Sequence, residues 1–219
     1  MEEFTSFSND TLQFLTDLRA NNTRDWFAEN KARYEAHVKD SGQHFAATMA
    51  GALRELTGEL HASKVFRIHR DVRFSKDKTP YNAHLHIAFM KEGGASADPM
   101  WFWGLSPEKV SLGCGVFQYD KASLPRFREA MAGPLGAELI RLGEELTAGG
   151  VRVRDPELKR VPADFDREHP HADALRRKGF AAWIDKDDLQ FVTTPDLVAR
   201  TLSEFERLLP VYKFLERVR

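Results

Sequence analysis

Five cationic side chains crowd one short stretch of this sequence. Arg67-Ile-His-Arg-Asp-Val-Arg-Phe-Ser-Lys-Asp-Lys-Thr-Pro-Tyr81 sets Arg67, Arg70, Arg73, Lys76 and Lys78 against only Asp71 and Asp77. Guanidinium forks bind phosphate or carboxylate bidentately, and backbone donors in a turn add to them. The surplus charge points to a binding or catalytic site for a small anionic molecule, with His69, Asp71 and Tyr81 as the groups able to act as acid or base. The competing account is a network of Arg–Asp pairs that locks the segment in place. Arg70 falls among apolar positions, where a solitary charge is costly, and Asp25 and Asp77 are its candidate partners.

Smaller signals lie nearby. Gly113 and Gly115 share a strand face with Ser111, and bare glycine in a strand marks close approach. That face is either a ligand floor or a seat for Trp101 or Trp103. His84 and His86 are two apart, so on a strand both imidazoles point the same way and could hold one metal, with His69 or Asp71 as a third ligand. Two solvated or stacked histidines are the simpler reading, and no cofactor is expected. Cys114 has the apolar parity of Leu112 and Val116, which suits a buried, inert thiol. Arg152, Arg154, Lys159, Arg160, Arg176, Arg177 and Lys178 form a further basic run, interrupted by acidic residues. Such a run is a solvated surface or a lid that brings cations to the same anion. The sequence holds no phosphate-binding loop, dinucleotide fingerprint or nucleophile elbow.

The elements that must position these groups follow from periodicity. Phe66, Ile68, Val72 and Phe74 alternate with polar residues and predict a strand over 66–74. Alternation over 83–89 predicts a second, with others over 100–105 and 110–117; short connections favour an antiparallel meander. Ser8 caps a helix whose Leu12, Leu15 and Leu18 form one stripe, stopped at Asn21-Asn22. Thr23 caps a longer helical stretch that Ser41-Gly42 should break. Helices return over 124–131, 135–146 and after Thr194-Pro195, and Pro210 should kink the last. A short strand at 151–153 and a helical turn after Ala172 are weaker signals. The expected fold is α+β in one domain, 1–219. An antiparallel sheet of four or more strands (65–117) is covered by helices 8–58, 122–147 and 194–218.

Composition narrows the function classes. The 219 residues are 42% hydrophobic and 30% charged, with a formal charge of −1. That near-neutral balance counts against nucleic-acid binding, whose form would be a lysine turn on phosphates with stacking tryptophans. The one cysteine excludes an internal disulfide. No apolar run approaches the roughly 18 residues of a membrane span, and the acidic N-terminus is unlike a secretory signal, so the expected location is the cytoplasm. A third class is a non-enzymatic interaction module that meets another protein, or a second copy, through Trp101, Phe102 and Trp103.

Several motifs together resemble one family. Asn21-Asn22-Thr-Arg24-Asp-Trp26-Phe27 and the run Arg70 to Tyr81 are similar to the bacterial and fungal family called domain of unknown function 2461. Gly113-Cys-Gly115, Leu158-Lys159-Arg160, His169-Pro170 and Leu175-Arg176-Arg177-Lys178 extend the resemblance over nearly the whole chain. It implies a single-domain boundary and no mechanism. Asn82 stands where the family often has Lys, and the His84-x-His86 pair lies outside its pattern.

Overall fold

A computed structural model describes residues 4–218. The helices are α1 (Asn9–Ala20), α2 (Arg24–Glu29), α3 (Lys31–Tyr34), α4 (Ser41–Thr57), α5 (Ser123–Ala132), α6 (Pro134–Ala148), α7 (Ala172–Leu175), α8 (Gln190–Thr193) and α9 (Leu197–Glu216). The strands are β1 (His61–Val65), β2 (Leu85–Lys91), β3 (Met100–Leu105), β4 (Val110–Val116), β5 (Arg152–Val153) and β6 (Phe180–Lys186). They form one six-stranded antiparallel sheet in the order β1-β2-β3-β4-β6-β5. The α+β fold is therefore as the periodicity implies.

Local chemistry explains most boundaries. Thr23 accepts the Trp26 N–H at 3.3 Å and starts α2. Pro134 sits in the first turn of α6, where its missing donor is harmless. Gly58, at φ 78°, ends α4. The break expected at Ser41-Gly42 is instead a π-helical turn over Glu35–Asp40, after which α4 runs on unbroken. Gly42 is there for space: a Cβ would lie 3.1 Å from Leu85 Cδ1 where α4 packs on β2.

The strand expected over 66–74 does not form. β1 lies earlier, pairing His61↔Lys91 through Val65↔Ile87. After Phe66 the chain leaves the sheet and returns through one isolated bridge, His69↔Tyr81. Arg70 N donates to Pro80 O at 2.9 Å and Asn82 N to Ile68 O at 2.7 Å on either side of it. The alternation misleads because only Ile68 is buried; Phe66 is 44% exposed and Phe74 96%.

The chain forms two compact units. One comprises Met1–Glu92, Phe102–Leu112 and Lys186–Ser203; the other comprises Gly93–Trp101, Gly113–Asp185 and Glu204–Arg219. In the first, Trp103 stacks on Phe7 at 5.4 Å and meets Phe45 at 4.7 Å, all three buried. In the second, Trp101 is fully buried and stacks on Tyr212 at 5.2 Å. The aromatic interaction surface expected of Trp101 and Trp103 is thus core, and so are the indoles that a nucleic-acid reading would have stacked on bases.

Candidate functional site

Loop 67–81 spends most of its charge on itself. Arg70 donates to Asp77 at 2.6 Å and to the Thr79 carbonyl and hydroxyl, so Asp77, not Asp25, is its partner. Asp77 also accepts Thr79 N at 2.9 Å, and these donors, the Thr79 N–H foremost, hold its carboxyl at about 2. Arg73 grips Asp71 through two nitrogens at 2.9 and 2.7 Å, which holds the Asp71 carboxyl below its usual range. The Lys78 ammonium donates to Val72 O at 3.0 Å. Arg67 and Lys76 alone of the five cations have no hydrogen-bond partner among the described residues. Both project from an exposed loop.

The acid–base candidates are committed elsewhere. Tyr81 is 7% exposed, stacks on Phe27 at 4.1 Å, and has its backbone clamped by Asn22, which donates to Tyr81 O at 2.9 Å and accepts Tyr81 N at 3.1 Å. His69 packs edge-on to Phe27 and Tyr81 at 5.9 and 5.2 Å. Asp71 is held by Arg73. Of the Asn21-Asn22 pair, read as a helix stop, Asn21 donates to Asp17 O at 2.9 Å and Asn22 fixes Tyr81.

β2 begins at Leu85, so of the pair only His86 lies on a strand; His84, just before it, stacks face to face on His86 with centroids 3.8 Å apart, and His86 covers Gly104. That geometry does not spread their nitrogens around a common point, and among the described residues no three His, Cys, Asp or Glu are grouped to hold a metal. Burial foremost, then His86, Arg19 and Arg70, push His84 down to about 4; burial lowers His86 as well. An unfolded histidine titrates near 6.5, so between about pH 6.5 and 4 the unfolded chain binds more protons at His84 than the folded one. The His84 contribution to stability should therefore be flat above about pH 6.5 and fall as the pH drops toward 4. Melting temperatures across this range should show a shallower fall for His84→Gln; an unchanged profile refutes the assignment.

The glycine floor is filled. A Cβ on Gly113 would lie 2.3 Å from the Trp183 ring, and one on Gly115 would lie 2.2 Å from Phe180 O. The bare face admits β6 and Trp183, so Gly113 and Gly115 make room for packing rather than for a ligand. The covering indole belongs to a strand that periodicity missed. Cys114 is buried, and burial pushes its thiol well above the usual value.

The second basic run builds a concave site. Glu157 accepts Lys178 N at 2.7 Å and pairs with Arg154 at 3.3 Å, while Leu158 N donates to Arg176 O at 3.0 Å. Arg177 donates to Arg154 O, and Arg154 to Phe117 O at 2.7 Å. These bonds tie the irregular strap after β5 to the end of α7. Beside them lies a cavity of about 470 Å³ lined by Lys159, Arg160, Val161, Arg167, Ala172 and Arg176. Four of those six side chains are cationic and none is acidic. Arg176 gives one nitrogen to Asp173, at the start of α7, and its Nε is buried without a hydrogen-bond partner. A smaller cavity of about 180 Å³ between α6 and α9 is different, since Arg217 there is forked onto Glu138. In the sequence Lys159, Arg160 and Arg176 read as solvated surface or lid, and nothing there singles out Arg167. The run of cations was visible; the turn that closes them on one cavity was not.

No helix among the described residues is long and apolar enough to cross a membrane. Residues 10–214 match the model of a family described as a conserved hypothetical protein (DUF2461). No curated protein matches the chain.

Proposed function

Because the chain belongs to the DUF2461 family over nearly its whole length, we propose a function for its second basic run: binding a small anionic molecule in the cleft of Lys159, Arg160, Arg167 and Arg176. The observation that carries this reading is the lining, four cations and no carboxylate around a cavity of about 470 Å³. That volume falls within the usual range of small-molecule sites. Arg176 is paired with Asp173, but the cations still outnumber their partners and repel one another, and a bound phosphate or carboxylate removes that cost while accepting from guanidinium donors. Loop 67–78 competes poorly, because Arg70, Arg73 and Lys78 already have internal partners. The reading is one of binding: the lining offers no imidazole or carboxylate to move a proton.

Titrating inorganic phosphate into the protein at low salt, followed by backbone NMR shifts, tests it. The shifts expected to move lie in 158–161, 167–172 and 176, saturating at about millimolar phosphate or below. Arg160→Ala with Arg176→Ala should abolish them, and Arg73→Ala with Lys76→Ala should leave them intact. Shifts confined to 67–78, or none at all, would refute the assignment.

A further inference from the structure

Resting on that anion-binding reading, we infer that the ligand of the cleft carries two or more phosphate groups close together and no aromatic base. Charge is the first argument. Four cations line the cavity, and Asp173 neutralises one of them, Arg176, leaving a surplus of three. A single phosphate group brings only about −1.5 to −2 at neutral pH, so it would leave at least one cation uncompensated; a diphosphate closes the balance.

Size is the second. A cavity of about 470 Å³ holds on the order of fifteen water volumes, several times what one phosphate displaces. The cations also enter from three places: Lys159 and Arg160 on the strap, Arg167 beyond it, and Arg176 at the end of α7. Cations that enter from separate places can meet separate phosphates, which a single anion cannot exploit.

The lining also says what the ligand lacks. Val161 and Ala172 are its apolar members, so no aromatic face can stack a base and no carboxylate can accept from its amino groups. A nucleotide would bind chiefly through its phosphates, with only a guanidinium plane left to meet its base. The class is a compact polyphosphate: inorganic diphosphate, or a small polyol or sugar bearing two phosphates.

Calorimetric titration of the full chain with phosphate, pyrophosphate and AMP at low salt decides the matter. Pyrophosphate should bind at least about ten-fold more tightly than phosphate, and AMP within about two-fold of phosphate. Arg160 is exposed, so Arg160→Ala should fold normally, keep its melting temperature and lose most of the pyrophosphate preference. Equal affinity for phosphate and pyrophosphate, or AMP about ten-fold tighter than phosphate, overturns the polyphosphate inference while leaving anion binding standing. No binding of any of the three overturns the anion reading itself.

Discussion

Gly115→Ala should destabilise the protein by about 3 kcal/mol or more, lowering the melting temperature by roughly 6–12 °C for a chain of this length. Two independent obstacles meet at this position. Its φ is 146°, which side chains rarely adopt, and an added Cβ would lie 2.2 Å from Phe180 O and 2.6 Å from Ala181 Cα. Both obstructing atoms are backbone of β6, so no side-chain rotation relieves the clash. Gly150 separates the two effects. It also has positive φ, at 76°, yet nothing lies within 4 Å of the position a Cβ would take. Gly150→Ala should therefore lose only the conformational part, about 1 kcal/mol. Equal losses for the two variants in urea denaturation would show that the close approach of β4 and β6 is not what requires glycine.

Trp103→Ala should cost about 3–5 kcal/mol, the range for emptying a large buried aromatic site. Trp103 is 1% exposed, and the cavity left behind would face Phe7 and Phe45. Because the indole Nε1 makes no hydrogen bond, Trp103→Phe leaves no donor orphaned and should cost less than half as much. A drop in denaturation midpoint with an unchanged slope is the expected signature. If Trp103→Ala and Trp103→Phe are equally destabilising, volume is not what the site supplies.

The legible parts of the fold were those where burial repeats along the chain. β3 occupies the predicted span and β4 ends one residue short of it; α1 buries Leu15 and Leu18 of the expected stripe, with Thr11 and Phe14 buried in place of Leu12. β1 escaped notice because only His61 of its five residues is buried, so His61–Val65 shows no alternation. β6 escaped because Phe180, Ala181, Ala182 and Ile184 are all buried, giving a run without a period. At the candidate site, the sequence displayed charge but not its partners. The cations of 67–78 outnumber the aspartates, yet their hydrogen bonds go to Asp77, Asp71 and backbone carbonyls a few residues away. Conversely, Lys159, Arg160, Arg167 and Arg176 sit among acids in the sequence and around a cavity in space. The Glu157–Lys178, Leu158–Arg176 and Arg177–Arg154 bonds close that distance.

The way the chain is shared between its two units has a consequence for biosynthesis. Each unit draws on three stretches, and each takes one of them from beyond residue 185. As the polypeptide leaves the ribosome, the segment up to Glu92 emerges early but lacks Lys186–Ser203, and Gly113–Asp185 lacks Glu204–Arg219. At about 5–20 residues per second, the first segment waits roughly 5–20 seconds for its final partner. Throughout that interval the Phe7 and Phe45 rings await a finished core, a state in which nascent chains recruit chaperones. A stop codon directly after residue 185 would deprive both units at once, so neither can complete its core until the stretches beyond that point are made.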